Sequence, residues 1–250
     1  MAEHATILVE DTGPVARITL NRPDKRNPIG PGTCGELVAA FTAIKAHVVV
    51  LTGAGPAFSA GGDLSAMQQP AGKSASLVEL FTTMHALGKP IIAMVNGPAL
   101  AGGLGLMVAC DLVIAADTAS FGTTEIKVGL WPMMITAELT RSVGRKKTLD
   151  MMLTGRKLDA AEALASGLVN RVVPAANLEA ETMQLANELA ARSPAALALG
   201  LRAFYRSQDM EHEPQLRFLE GELGRVLALE DAAEGIAAFL GKRDPVWKGR

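Results

Sequence analysis

The sequence predicts an α/β fold with parallel strand pairing in its first half and a helical region at its C-terminal end. Runs rich in β-branched residues, such as HVVVLTG at residues 47–53, end at glycine and are typical of buried strands. Segments with helical spacing of apolar residues lie between these strands. After Phe121 the helical pattern becomes nearly continuous. Strands that alternate with helices favour parallel pairing, which fixes the class.

The elements of the N-terminal half follow one another with short connections. ATILVE and PVARITL predict two strands of a hairpin, because Asp11-Thr12-Gly13-Pro14 between them is a turn sequence. The glycine-rich stretch ALAGGLGLMVACD predicts a buried helix. The remaining predicted elements are a helix at CGELVAAFTAI, a strand at HVVVLTG, a helix at SLVELFTTMHAL, and strands at PIIAMV and DLVIAAD.

The C-terminal half is predicted to be mostly helical. GLVNRVVP interrupts it with one short strand. Ser193-Pro194 is a candidate joint, so we expect a core with the functional site over residues 1–193 and a helical region over residues 194–250. The predicted helices run over about 136–152, 159–166, 175–192 and 195–207, and then on to about 240.

Composition excludes several classes of partner. The formal net charge is -2 and no block of Lys and Arg occurs, so neither nucleic acid nor an anionic membrane surface is expected as the main partner. The uncharged residues 90–110 are interrupted by Pro90, Asn96, Gly97 and Pro98, which argues against a membrane span. The start MAEHATILVE has no basic region followed by a long apolar one. Together with two cysteines far apart in sequence, this favours the cytoplasm.

Two common catalytic arrangements are not favoured. AFSAG at residues 57–61 is one residue from a nucleophile elbow, but a serine hydrolase also needs a histidine. Only His212 follows Ser59 at a suitable distance, and it lies in MEHEP, which is typical of an exposed helix. No compact set of His, Cys and Asp residues occurs, so no metal is predicted.

The glycines of ALAGGLGLMVACD suggest a binding role for the backbone. Glycine inside a helix costs roughly 1 kcal/mol relative to alanine, yet it permits close approach of another group. Gly102 at a helix start would expose an unpaired N–H, although close helix–strand packing is the alternative explanation. GPAFSAGGDL offers a second donor, which we assign to the Ala60 N–H. Two such amides converging on one oxygen form an oxyanion hole.

Six motifs in order resemble one known family. They cover nearly the whole chain and are NRPDKRNPI, GAGPAFSAGGDL, VNGPALAGGLGLMVACD, FGTTEIKVGL, LTGRKLDAAEALASGLVNRVV and AAFLGKRDPVWKGR. Together they resemble the enoyl-CoA hydratase/isomerase, or crotonase, family. The resemblance implies a spiral of ββα units with a helical C-terminal part, assembled as a homotrimer or a dimer of trimers. It also implies an acyl-CoA thioester substrate whose carbonyl oxygen is held by the N–H groups of Ala60 and Gly102.

The resemblance also predicts which carboxylates act. Hydratases of the family commonly use two glutamates; one matches Glu125, and Gly105 stands at the place of the other. Hydration needs a water held and activated, whereas moving a double bond from C3 to C2 needs one base and an oxyanion hole. We therefore expect an isomerase with Glu125 as its base, in an apolar neighbourhood that would raise its pKa. A hydratase that works despite Gly105 and a non-catalytic acyl-CoA-binding trimer remain alternatives. Glu138 is the least favoured source of a second carboxylate.

Further residues are assigned to substrate binding by the same resemblance. Lys25 and Arg26 fall where a basic residue contacts the nucleotide of coenzyme A, and Ala57 falls in a turn beside it. Phe239 and Lys242 match a stretch that reaches the ligand of a neighbouring subunit. Coenzyme A would be part of the substrate, so no separate cofactor is predicted. Trp131, Met133 and Met134 would either narrow an acyl pocket or belong to the core.

Overall fold

The computed structural model describes residues 6–63 and 75–250. In this part of the chain, six strands form one sheet in the order β1-β2-β3-β4-β6-β9, and three short strands form a second sheet in the order β5-β7-β8. The strands are β1 (Ile7–Glu10), β2 (Val15–Leu20), β3 (Val48–Gly53), β4 (Ile91–Val95), β5 (Ala99–Leu100), β6 (Leu112–Ala116), β7 (Ser120–Gly122), β8 (Leu158–Asp159) and β9 (Arg171–Val173).

The helices of the described chain surround the larger sheet and extend from it at the C-terminal end. They are α1 (Pro31–Ala43), α2 (Leu77–Ala86), α3 (Gly102–Val108), α4 (Met133–Thr154), α5 (Ala160–Ala165), α6 (Leu178–Ala190), α7 (Pro194–Ser207), α8 (His212–Leu227) and α9 (Glu230–Leu240). The predicted helix start near residue 136 lies three residues late, because Pro132 caps α4 and Met133 is already helical.

Pairing in the larger sheet follows the sequence pattern. β1 and β2 are antiparallel and form the predicted hairpin, while β2, β3, β4, β6 and β9 pair in parallel. Every residue of β3 and β4 is buried, because the sheet is covered on both faces. One face packs against α1, α2 and α3, and the other packs against α6. Successive side chains such as those of Val49 and Val50 therefore enter two separate apolar clusters, one on each face of the sheet.

The small second sheet positions the glycine-rich helix. Ala99 pairs in parallel with Phe121 and forms a bridge with Ser59, so β5 is held between β7 and the loop segment that carries Ser59. The Ala101 N–H then donates to the Gly122 carbonyl at 2.8 Å. The sequence did not predict β5, β7 or β8, because strands of two or three residues are too short to show a period. Their effect is to place Gly102 beside the segment over residues 54–63.

The C-terminal region is helical, as predicted. α7 begins at the expected joint, where the Ser193 hydroxyl accepts the Ala196 N–H at 3.1 Å and Pro194 occupies the first helical position. The Tyr205 hydroxyl of α7 donates to Asp111 at 2.6 Å, which ties this region to the start of β6. The predicted division at residues 193 and 194 into two domains stays a prediction.

Residues 90–110 form β4, β5 and α3 rather than one long helix. Within the described chain, none of the helices combines the length and the apolarity that crossing a membrane requires. The prediction for the N-terminal stretch MAEHATILVE falls partly on residues 1–5, which lie outside the described residues.

Candidate active site

One cavity of about 370 Å³ is lined by the residues predicted for catalysis, Ala60, Gly102 and Glu125, and by those predicted for the acyl pocket. It lies where the segment over residues 54–63, the start of α3, the segment around Glu125 and the first turn of α4 meet. Apart from Glu125, apolar side chains and backbone dominate its wall, so an apolar group bound there would be shielded from water. The wall consists of Ile29, Ala60, Gly62, Leu77, Ala101, Gly102, Thr124, Glu125, Val128, Leu130, Trp131, Pro132, Met133, Met134 and Ile135.

Glu125 is the one acidic side chain among the described residues that line this cavity. It begins a 3₁₀ helix over Glu125–Val128, after the third residue of β7 and two threonines. Its Oε2 is buried and has no hydrogen-bond partner in the described chain. Burial raises the pKa of Glu125 above its ordinary value, and its own backbone N–H opposes part of that rise. A carboxylate with a free, poorly solvated oxygen is suited to accept a proton from a bound molecule.

The backbone amides of Gly62 and Gly102 lie together on the cavity wall. A Cβ added to Gly102 would stand 3.5 Å from the Gly62 nitrogen, so the two glycines are in close contact. Neither the Gly62 nor the Gly102 N–H donates to an acceptor within residues 6–63 and 75–250. Gly102 is buried and Gly62 is half-buried. Because N–H groups away from water are nearly always paired, the two adjacent amides indicate a place for an acceptor from outside the described residues.

The assignment of the first donor to Ala60 is wrong. The Ala60 N–H donates to the Arg26 carbonyl at 2.8 Å and is therefore not free for a ligand. Successive amides of an extended segment point to opposite sides. The Asp63 N–H and the Gly61 carbonyl both bond Ile29, and so the Gly62 N–H points the other way, towards α3. Ala60 still lines the cavity, but the free amide belongs to Gly62.

Asn27 holds the loop that carries Gly62 from inside. It is buried with φ +54°, a left-handed conformation that asparagine tolerates better than most residues. Its amide nitrogen lies within hydrogen-bond distance of the carbonyls of Ala54 (2.9 Å), Ala57 (2.9 Å) and Phe58 (3.2 Å). Its Oδ1 accepts the Arg22 N–H at 2.9 Å. Asn96 adds two more bonds at the start of the loop, donating to the carbonyls of Gly53 and Gly55 at 2.8 Å.

Ser59 and Asp63 complete the attachment of this loop. The Ser59 hydroxyl donates to the Asn27 carbonyl at 2.7 Å and also accepts the Gly61 N–H at 3.3 Å. It is fully buried, in keeping with the rejection of Ser59 as a hydrolytic nucleophile. The Asp63 carboxylate bonds the Arg22 guanidinium at 2.7 Å. These contacts fix both ends of the segment that presents the Gly62 amide.

Ala101 adopts a strained backbone conformation immediately before the second amide. Its φ of +48° with ψ of −128° is a region that residues with a Cβ rarely enter, at a cost of about 1–3 kcal/mol. The bond from its N–H to Gly122 and the packing of its Cβ against Gly61 hold it there. This conformation directly precedes α3, whose first residue, Gly102, lies against Gly62.

The position at which a second carboxylate was missing is filled by apolar side chains. A Cβ added to Gly105 would lie 2.7 Å from Cγ1 of Ile135 and 3.2 Å from Cζ of Phe81. Glu138 does not replace it, because its Oε2 lies 3.5 Å from Nε2 of His85 and it does not line the cavity. In the described chain, the cavity therefore has one carboxylate.

Trp131, Met133 and Met134 lie on the cavity wall, at the start of α4. The side chains of Met133 and Met134 are 68% and 44% exposed, so they stand at the mouth rather than in the core.

The residues expected to bind the nucleotide fall into three places. Arg26 and Ala57 share a second hollow of about 310 Å³ with Lys157, a cation that the sequence reasoning missed. Lys25 faces a different hollow, together with Arg22 and Glu36, so the structure separates it from Arg26. Phe239, which is 83% exposed, and Lys242 line none of these hollows; they lie at the end of α9 and just after it.

No group of three or more His, Cys, Asp and Glu side chains is arranged to hold a metal ion within residues 6–63 and 75–250. The described part of the cavity wall instead combines one partly buried carboxyl group, that of Glu125, with the backbone amides of Gly62 and Gly102.

The fold places the protein among crotonase-fold structures. The crystal structure of an enoyl-CoA hydratase from Mycobacterium smegmatis superposes with a TM-score of 0.92 at 32% identity, covering 98% of this chain and 99% of that one. The predicted crotonase-like α/β fold is therefore confirmed.

Sequence comparison places the chain more narrowly. The family model described as enoyl-CoA hydratase/isomerase matches residues 10–250. A relative from Thermus thermophilus, provisionally named an enoyl-CoA hydratase, is 39% identical over 247 residues, which is 94% of this chain and 98% of the relative. The human enoyl-CoA hydratase domain-containing protein 3, named as mitochondrial, is 36% identical over 244 residues, which is 93% of this chain and 80% of that protein. The chain belongs to the enoyl-CoA hydratase/isomerase family and is an enzyme of that family.

Proposed function

We propose that the protein is an enoyl-CoA isomerase that moves a double bond from C3 to C2 of an acyl-CoA thioester. The observation that carries the proposal is that, among the described residues, Glu125 is the single carboxylate on the cavity wall, and its buried Oε2 and the Gly62 and Gly102 N–H groups of the same wall have no partner there. The filled position at Gly105 supports it, because a second acid–base group has no room there.

The proposed reaction uses Glu125 twice. Its carboxylate removes a proton from C2, and the electrons of the broken C–H bond form a C1–C2 double bond while the thioester oxygen becomes negative. The N–H groups of Gly62 and Gly102 stabilise that oxygen as a dienolate. Protonated Glu125 then gives the proton to C4, where the electrons of the C3–C4 double bond form the new C–H bond. The C1–C2 double bond shifts to C2–C3 as the oxyanion re-forms the carbonyl. A raised pKa suits the same group to both transfers.

A hydratase is the second candidate, because relatives bear hydratase names. It would add water across C2 and C3 of a 2-enoyl-CoA with Glu125 as its only carboxylate. A non-catalytic acyl-CoA-binding protein is the third candidate, and it leaves the unpaired oxygen of Glu125 unexplained.

Coenzyme A would lie along the hollow of Arg26, Ala57 and Lys157, where two cations are suited to its phosphates. The proposal therefore assigns Arg26 and, in addition, Lys157 to substrate binding, and it leaves out Lys25, which lines a different hollow. The acyl group would lie against Trp131, Met133 and Met134. A homotrimer or a dimer of trimers, with Phe239 and Lys242 reaching a neighbour, and a cytoplasmic location remain parts of the proposal.

The test gives the purified protein a 3-enoyl-CoA and, separately, a 2-enoyl-CoA. We expect the first to become conjugated, seen as a rise in the ultraviolet absorbance of the enoyl thioester, and the second to be unchanged. Glu125→Gln removes the base but keeps the size of the side chain, so turnover should fall by about 10³-fold or more with nearly unchanged binding of a saturated acyl-CoA. Thr124→Ser, at the neighbouring cavity residue, serves as the matched control.

Different outcomes select between the candidates. Hydration of the 2-enoyl-CoA at a rate equal to isomerisation, or faster, would replace the isomerase by the hydratase. Binding of both esters without conversion would favour a binding protein. Unchanged isomerisation by Glu125→Gln would remove Glu125 from the mechanism.

A further inference from the structure

The side chains of Ile135 and Phe81 pack against Gly105 at one edge of the cavity. Gly105 lies one turn into α3, Ile135 in the first turn of α4, and Phe81 on α2. Ile135 lines the cavity, whereas Gly105 and Phe81 do not. Ile135 is 3% exposed and Phe81 is 5% exposed. The Ile135 side chain therefore stands between the open cavity and Gly105, with the Phe81 ring closing the remaining space.

The available space around Gly105 is too small for any larger residue as the chain stands. The point at which a Cβ would be built lies 2.7 Å from Cγ1 and 3.4 Å from Cδ1 of Ile135, and 3.2 Å from Cζ of Phe81. Carbon atoms not bonded to each other pack at about 3.5–4.0 Å. A side chain at residue 105 therefore requires the Ile135 side chain to move out of its present position. A water molecule would also lack polar partners in this corner, since both neighbouring side chains are apolar.

We propose that Ile135, supported by Phe81, is the residue that determines the reaction of this site. Its side chain occupies the space in which a second carboxylate and an ordered water would stand, and so limits the enzyme to proton transfer by Glu125. The inference rests on the proposed function and adds a specificity-determining residue to it. Gly105 alone does not set the outcome, because the volume that a longer side chain would need already belongs to Ile135.

The main test combines substitutions at the two positions. Gly105→Glu with Ile135→Ala adds a carboxylate and removes the obstructing carbons, so it should hydrate a 2-enoyl-CoA at least 10-fold faster than Gly105→Glu alone. Gly105→Gln with Ile135→Ala has the same size without the charge and should not hydrate. Gly105→Glu with Ile135→Val keeps a branched side chain against Gly105 and should behave as Gly105→Glu does. Binding of a saturated acyl-CoA and a single thermal transition establish that each variant is folded.

Either of two results from folded variants would overturn the proposal. One is hydration by Gly105→Glu alone at the rate of the variant that also carries Ile135→Ala. The other is a rate for that double variant no higher than that of its glutamine counterpart. This measurement uses a hydration substrate, so it remains valid even if the native chain fails to isomerise a 3-enoyl-CoA. Failure of the proposed function and failure of this inference are thereby separable.

A second measurement covers the case in which the double variant does not fold. Ile135→Ala in the otherwise native chain enlarges the cavity at a wall it shares with Glu125, whose carboxylate gives an entering water a polar partner, whereas Ile135→Val leaves most of that space filled. During isomerisation in D₂O, Ile135→Ala should therefore incorporate several-fold more deuterium into the product than either the native chain or Ile135→Val. Equal incorporation in all three proteins would show that Ile135 does not exclude water.

Discussion

Glu125 combines a proposed chemical role with a cost in stability. Its Oε2 is buried and has no hydrogen-bond partner among the described residues, and burial raises its pKa from the ordinary value of 4.5. The folded protein therefore keeps the proton to higher pH than the unfolded chain does. This acid with a raised folded pKa loses stability as the pH rises from the unfolded pKa through the folded one.

Replacing this carboxylate should stabilise the protein while it abolishes the reaction. The amide introduced by Glu125→Gln carries no charge, so we expect a gain of about 1 kcal/mol near pH 7, or a melting temperature about 2–4 °C higher. The difference should vanish below pH 4.5, where native Glu125 is protonated in both states. Thermal melts of both proteins over this pH range check it. A native protein more stable than the variant at pH 7 would contradict the assignment of an unpaired charge.

The Asn27 side chain makes several of the hydrogen bonds that hold the loop with Gly62 in place. Asn27→Ala leaves the Ala54, Ala57 and Phe58 carbonyls and the Arg22 N–H without their partner, and puts alanine at φ +54°. We expect a loss of about 3 kcal/mol, or about 6–12 °C in melting temperature. Asn170→Ala is the control, because the side chain of exposed Asn170 accepts one hydrogen bond among the described residues, from the Val113 N–H. Equal losses in both variants would refute the role of Asn27.

The sequence predicted site residues well where the type of side chain identifies them. It predicted them less well where only the backbone geometry does. Glu125 was selected by its motif, and it lies in the cavity with a free oxygen. The first amide donor was assigned two residues too early, because each residue from Ala60 to Gly62 has an N–H and the motif does not say which one is free. Only the bonds of Ala60 to Arg26 and of Asp63 to Ile29 distinguish them.

The start of α3 uses its two glycines for different purposes. An added Cβ at Gly103 would lie 2.5 Å from Cβ and Oγ of Ser59, so packing requires this glycine. At Gly102 the nearest atom would be the Gly62 nitrogen at 3.5 Å, an ordinary contact. The sequence left packing and binding as alternatives for this stretch; the contacts show a packing requirement at Gly103 and none at Gly102.

The two glycines should therefore respond differently to the same substitution. Gly102→Ala should keep a near-native melting temperature but place a methyl group over the Gly62 donor, lowering turnover by about 10²- to 10³-fold. Gly103→Ala should destabilise the protein by about 1–3 kcal/mol, because the helix start must move away from Ser59. Paired measurements of melting temperature and turnover test this. A stable, fully active Gly102→Ala protein would show that the amides do not meet the substrate oxygen.

The long strands and helices were predictable because their periods extend over enough residues. β3 and β4 were recognised as buried runs and α1 and α2 by their spacing, each within a few residues of its observed bounds. β5, β7 and β8 escaped notice because their pairing joins residues far apart in sequence, such as Ala99 with Phe121. The part of the fold that positions the site was thus the part least visible in the sequence.

Contacts between the C-terminal helices and the sheet bear on whether the chain behaves as one unit. Tyr205 of α7 stacks on His85 of α2 with ring centroids 4.2 Å apart, and its hydroxyl bonds Asp111. His85 in turn faces Glu138 of α4 at 3.5 Å. Asp111 also accepts the Ile91 N–H at 2.6 Å, at the start of β4. One cluster therefore joins α2, α4, α7, β4 and β6 across the predicted boundary at residue 193.

Removing the Tyr205 hydroxyl should weaken the entire protein rather than its C-terminal region alone. Burial raises the pKa of Asp111, and the hydroxyl bond opposes this by stabilising the carboxylate. Tyr205→Phe should cost about 2 kcal/mol at pH 7, or about 4–8 °C in melting temperature, with a single transition retained. The loss should shrink on acidification, because a protonated Asp111 gains less from the hydroxyl bond.

Calorimetry of Tyr205→Phe beside Phe204→Leu tests this coupling. Phe204 neighbours Tyr205 but is 60% exposed, so its substitution should change the melting temperature little. Splitting of the Tyr205→Phe transition into an unchanged and a lowered component would mean that residues 194–250 unfold independently of the sheet. A single shifted transition means that the cluster transmits the loss to every element it joins. In that case the elements that surround the cavity unfold together with the C-terminal helices. The predicted division at residue 193 would then mark a change of architecture and not a boundary between two folding units.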